Sequence, residues 1–142
     1  MATGGTKYPL HVVHALTFTV NWNDAADLIA GTRARGVIPA GAHVIGEIAT
    51  IQTVFNAAST NVLTVGTQSG TATNLLAAGD LDESSAATTV MAGSVFHAGG
   101  LICLNATTDT PIYAKYAQSG TAADAGKATI SILYTFPRGN AP

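Results

Sequence analysis

Asp80, Asp82 and Glu83 place three carboxylates within four positions of one segment, GDLDESS. Carboxylates this close are the ligand type of a hard cation such as calcium, and equally the partner type of an arginine on a neighbouring subunit. The segment has neither the alternating ligand ladder nor the trailing glutamate of a helix-flanked calcium loop. It is therefore expected to be a solvated turn, with Asp80 and Asp82 as candidate contacts to another subunit. The histidines are His11, His14, His43 and His97. His11 and His14 stand three apart, which on a strand sends them to opposite faces, and no HxH or HxxxH spacing occurs. No metal site is expected from them. The single cysteine, Cys103, lies in the apolar run LICLN and reads as a small buried side chain.

Nucleophilic and acid–base catalysis find no better footing. There is no GxSxG elbow, and the pairs Gly4-Gly5 and Gly99-Gly100 lack the GK[ST] that makes a phosphate loop. The eight acids form no second cluster that would supply the carboxylate pair of a glycosidase. The expectation is a protein that is not an enzyme and carries no cofactor.

The basic residues look more like contacts. Arg33 and Arg35 stand in AGTRARGVIP, and i, i+2 spacing on an extended segment puts both on one face. They are candidates for bidentate pairing with acids of another subunit, or for a solubilising edge strand. Lys7 and Tyr8 lie in a polar opening segment, residues 1–9, which reads as an arm able to reach a neighbour.

Charged residues make up 10% of the chain, against roughly 25% in ordinary soluble domains. Thr, Ala and Gly occupy positions where Lys and Glu usually keep a surface soluble. Either the surface is covered by other subunits or it is a neutral, environment-exposed face; the scarcity of charge favours the first. Six Lys and Arg against a net charge of −2 leave no footprint for nucleic acid. No 18-residue apolar run is present, so no membrane partner is expected. MATGGTKYPLH has no basic segment followed by an apolar one, so no secretory signal peptide is expected.

The elements that must carry these residues read as strands. Tyr8 to Trp22 alternates, with Leu10, Val12, His14, Leu16, Phe18, Val20 and Trp22 on one face. Asn23-Asp24 breaks it, and Asp24 to Ile29 fits a single helical turn. Thr32–Val37 reads as a short polar strand or arm. Ile38-Pro39-Ala40-Gly41 is a turn, and His43–Phe55 a strand with a bulge at Gly46. Asn61–Gly66, Ala87–Met91, Ser94–His97, Leu101–Asn105, Pro111–Tyr116 and Lys127–Phe136 complete the strands. Turn signals about every 8–12 residues indicate an all-β β-sandwich or jelly roll of about eight short strands. The domain is expected over 10–137, with a tail at 138–142. QSGTA occurs at Gln68–Ala72 and again at Gln118–Ala122, which suggests equivalent loops on one rim.

The stretch VIPAGAHVIGEIATIQTVFNAASTNVLTVGTQSGT, followed by LLAAGDLDESSAAT, resembles small structural proteins of tailed bacteriophages. The shared pattern is a Pro-Ala-Gly turn, an apolar strand, a strand ending VGT and an Ala-Gly-Asp loop. It covers about residues 37–90 and carries no functional residues with it. The resemblance implies a compact sandwich that coats the outside of a capsid as a decoration or cement protein. It implies the major capsid protein and further copies of itself, as a homotrimer, for partners, and the virion for location. Some similar chains are instead minor tail or baseplate-associated proteins. A receptor- or carbohydrate-binding module would need exposed aromatics. Trp22 and Tyr8, Tyr113, Tyr116 and Tyr134 fall in strands, which argues against it.

Overall fold

The computed structural model describes residues 12–24, 33–69, 72–92 and 107–136. Among them are β1 (His14–Asn21), β2 (Arg33–Ile38), β3 (His43–Thr53), β4 (Thr60–Gly66), β5 (Thr88–Ala92), β6 (Thr110–Ser119) and β7 (Lys127–Thr135). The protein is all-β. One sheet has the order β1-β7-β3-β5 and the other β2-β6-β4, with antiparallel ladders throughout. Odd strands fill the first sheet and even strands the second, so each described strand lies in a different sheet from the one before it. Pairing is therefore long-range: His14 sits opposite Tyr134, and Asn21 opposite Lys127.

Side-chain alternation explains why the sheets stack. In β7, Ala128, Ile130 and Ile132 point inward and are buried, while Thr129 and Ser131 point outward. In β6, Ile112, Ala114 and Tyr116 are buried and Lys115 is exposed. Phe18, Val20, Ala49, Ile51, Ile130 and Ile132 from one sheet form a single cluster with Ile38, Leu63, Val65, Ile112 and Tyr116 from the other. That cluster makes the two sheets a sandwich. Each large aliphatic buried this way contributes roughly 1.5–3 kcal/mol.

The first strand alternates as expected but is shorter at its end, because Trp22–Asp24 forms a single 3₁₀ turn. The helical turn expected over Asp24–Ile29 lies largely outside the described residues, as do the strands expected at Ser94–His97 and Leu101–Asn105. The Ile38–Gly41 turn is present, with Ala42 N–H donating to Pro39 O at 3.1 Å. Gly46 does bulge β3, shifting the register between Val44 and Gly46. That shift reverses the phase of the strand. Val44 faces in before it; Glu47, Ala49 and Ile51 face in after it. The two QSGTA segments are not on one rim. β4 and β6 are antiparallel, with Thr60 opposite Ser119 and Gly66 opposite Tyr113. Segments that follow each strand therefore leave from opposite ends of the sheet.

Candidate functional site

The sandwich has two lateral sides, one carrying an ion pair and the other the acidic segment. On the first side the edge of β1 meets the edge of β2. Arg35 Nη2 lies 3.2 Å from Asp24 Oδ2, and Arg35 Nη1 donates to Thr19 O at 3.4 Å. The same Asp24 oxygen accepts Asn21 N–H at 2.9 Å. Arg35 thus pairs within its own chain, across the two sheets, with only 10% of its side chain exposed. Arg33 opens β2 opposite Ala114, and a bulge lies between Ala34 and Gly36. The shared face expected for Arg33 and Arg35 turns on the Arg33 side chain, which lies outside the described ones. Lys7 and Tyr8 lie outside the described residues.

On the second side, segment 75–87 runs from the edge of β4 to the start of β5. Leu76 bridges Val65 through N–H···O bonds of 2.9 and 3.0 Å, and Ile51 N–H donates to Ala87 O at 2.8 Å. Glu83 joins both sheets. Its Oε1 accepts Leu63 N–H at 2.6 Å and its carbonyl accepts Phe55 N–H at 3.1 Å. An edge strand left bare invites unwanted pairing, and this segment covers the edge of β4.

The acidic residues of the segment divide by role. Asp80 closes a turn, its carboxylate accepting Ala77 N–H at 2.8 Å. Asp82 is exposed and accepts Ser84 N–H, the Ser84 hydroxyl and the Ser85 hydroxyl. Those bonds, the Ser84 hydroxyl's foremost, hold its carboxyl below the usual range. Glu83 is buried, which raises its carboxyl, while the bond from Leu63 N–H pulls the other way. Of the two expected contact acids, Asp82 alone presents an exposed side chain. Among the described residues no group of three or more His, Cys, Asp and Glu can hold a metal ion.

Glu47 escaped the sequence reading. It is 1% exposed, and neither carboxylate oxygen has a hydrogen-bond partner among the described residues. Its register neighbours are Ile132 on β7 and Met91 on β5. Burial, and secondarily the charge of Asp80, push its carboxyl up to about 8. Glu47 therefore carries its proton at neutral pH. The signal was the Gly46 bulge: shifting the alternation by one residue after it sends Glu47 inward and Ile48 outward.

Aromatic rings gather at two places. Phe55 and Tyr116 pack in the core with centroids 4.6 Å apart, and the Tyr116 hydroxyl donates to Asn61 Oδ1 at 2.6 Å. At the end of the first sheet, exposed His14 stacks on half-buried Tyr134 at 5.4 Å, with Phe136 edge-on to both. Val12 and Val13 beside them are more than half exposed, at 58% and 54%.

These elements define a class: a two-sheet antiparallel sandwich whose lateral sides are closed by an ion pair and by a covering segment. The fold is similar to that of a chain in the acidic stable capsid structure of Helicobacter pylori bacteriophage KHP30. The match has a TM-score of 0.62 and 20% identity and covers 90% of this chain and 91% of that one. It is also similar to a chain of the cyanophage Pam1 capsid asymmetric unit, with a TM-score of 0.57, 19% identity and coverage of 89% and 86%. No family model matches the sequence, and no curated protein matches it.

Proposed function

We propose that this chain is a structural component of a tailed-phage virion that binds the outside of the capsid as a decoration or cement protein. The observation that carries the reading is a fold shared over about nine-tenths of the chain with chains from two phage capsid structures. The strand order supports it. Among the described residues the order β1-β7-β3-β5 over β2-β6-β4, with the Leu76 bridge beside β4, fits a jelly roll, an architecture that viral coats use widely. The low charge fits a surface that other subunits cover. The role is non-enzymatic: the protein holds its neighbours together by burying surface across them. Its partners are the major capsid protein and its own copies, as a homotrimer.

The test is the copy number of the protein in purified virions, relative to the major capsid protein, by quantitative mass spectrometry. A ratio near one supports a coat over the shell. A ratio of a few per cent moves the protein to the tail or a vertex, and absence from the particle overturns a virion role.

A further inference from the structure

β1 is an edge strand, laddered to β7 alone. The phase of that ladder is fixed from both sides. Trp22 N–H donates to Gly126 O and the Thr135 hydroxyl donates to Val12 O, so even-numbered residues turn their main-chain groups toward β7. Odd-numbered residues turn theirs away: Thr19 O accepts Arg35 Nη1, and Asn21 N–H donates to Asp24 Oδ2. That tie occupies only one half of the edge. In the other half, Val13, Ala15 and Thr17 present N–H and C=O groups that nothing among the described residues engages. Val12, Val13, His14, Ala15 and Thr17 are all exposed.

The other three edges carry devices that discourage strand pairing. β4 is covered by segment 75–87 through the Leu76 bridge. β2 has a bulge and contains Arg33 and Arg35. β5 is only five residues long. β1 runs eight residues, HALTFTVN, in an unshifted register, with no proline, Lys, Arg, Asp or Glu.

We propose that the bare half of β1 is a self-association site, which pairs antiparallel with β1 of a second copy about a two-fold axis at Ala15. The tie to Arg35 selects this register. Centred on Ala15, the pairing sets Ala15 opposite its own counterpart and Val13 opposite Thr17 of the second copy. Each such pair exchanges both of its main-chain bonds, and no group held by Arg35 or Asp24 is needed. Centred on Leu16, the pairing would set Val13 against Thr19, whose carbonyl Arg35 already holds. Centred on His14, the described pairs would leave Thr17 unmatched. The occupant is a second copy because the stretch is complementary to itself. It brings no like charges together, and alanine at the centre leaves no side-chain bulk at the axis. Val12 and Val13, the most exposed large hydrophobic residues described, at 58% and 54%, come to lie beside Phe18 and Thr17 of the second copy. The four-stranded sheet then continues across both molecules. The contact is two-fold, so it is additional to any three-fold contact between copies, and it does not depend on the virion reading.

Sedimentation equilibrium and amide hydrogen exchange on the full chain test it across a concentration series. The wild type should double its basic unit reversibly, and the Ala15 and Thr17 amides should gain roughly tenfold or more in protection as it does so. Ala15→Pro removes an N–H that points away from β7, and Thr17→Lys puts a charge on the edge; each should weaken the doubling by roughly tenfold or more. Gln52→Lys, at an exposed position on β3, should leave it unchanged. No doubling, doubling that both edge variants retain, or equal weakening by Gln52→Lys would each overturn the inference. So would protection of Ala15 and Thr17 that appears only when phage capsid shells are added, since the edge would then receive a different strand. Should Ala15→Pro fail to fold, Thr17→Lys, a change at an exposed side chain, decides.

Discussion

The guanidinium of Arg35 bonds the carboxylate of Asp24 and the carbonyl of Thr19, and so ties the edge of β2 to the edge of β1. The sheets share no hydrogen-bonded ladder, so this contact closes a side that apolar packing alone would leave open. Removing the cation strands both a mostly buried carboxylate and a strand carbonyl. Arg35→Met should cost about 1–3 kcal/mol, and Asp24→Asn less, since an amide oxygen can still accept Asn21 N–H. Urea unfolding of both single variants and the double variant measures the coupling. Strictly additive losses would show that the pair contributes nothing as a pair.

The carboxylate of Glu83 acts as a cap on the edge of β4. Glu83→Ala leaves Leu63 N–H buried without a partner and should lower stability by about 1–3 kcal/mol. Glu83→Gln keeps an acceptor and should lose much less. Thermal unfolding distinguishes the two, and equal losses would mean that packing, not the hydrogen bond, holds Glu83.

Two glycines separate the cost of backbone conformation from that of space. Gly126 has φ 149°, and a Cβ there would run into the ring of Phe55, itself buried against Tyr116. Gly79 has φ 91° and open space around it. Gly79→Ala should therefore cost about 1 kcal/mol of strain, and Gly126→Ala about 2–4 kcal/mol by adding overpacking. Chemical denaturation of the two variants checks the order; a Gly79 variant as damaged as the Gly126 variant would contradict the close approach to Phe55.

Stability should fall as pH rises. The folded chain keeps the Glu47 proton up to about 8, whereas an exposed glutamate releases it near 4.5. The contribution is thus fully present below about 4.5 and is lost as pH climbs to about 8. The full span is on the order of 5 kcal/mol. Glu83, also raised, has the same sign, while Asp82, lowered, acts oppositely and only in acid. Urea midpoints across this range for the wild type and for Glu47→Leu provide the check. The wild type should decline and the variant stay nearly level; parallel declines would remove Glu47 as the cause.

Much of the strand framework was legible because period-two alternation is a local property. Phe18, Val20, Ile130 and Ile132 declare an inward face without reference to any other strand. The Gly46 bulge and the Pro39–Gly41 turn were readable for the same reason, since a glycine interrupting a strand and a Pro-x-Gly turn are local signatures. The register shift between Ala34 and Gly36 was not read from the sequence, although a glycine stands at it. The expectation of one rim for the QSGTA segments failed because it needs the pairing of β4 with β6.

The amino-acid pattern alone thus specified an all-β chain, its turns, and a composition poor in charge. Which strands pair is non-local, set by how two apolar faces best bury each other, and here it links residues from opposite ends of the chain. The same non-local packing turned Arg35 from a free contact into a tie between sheets. It also made Glu83 a strand cap and put Glu47, an ordinary surface acid by type, into an apolar interior where it holds its proton.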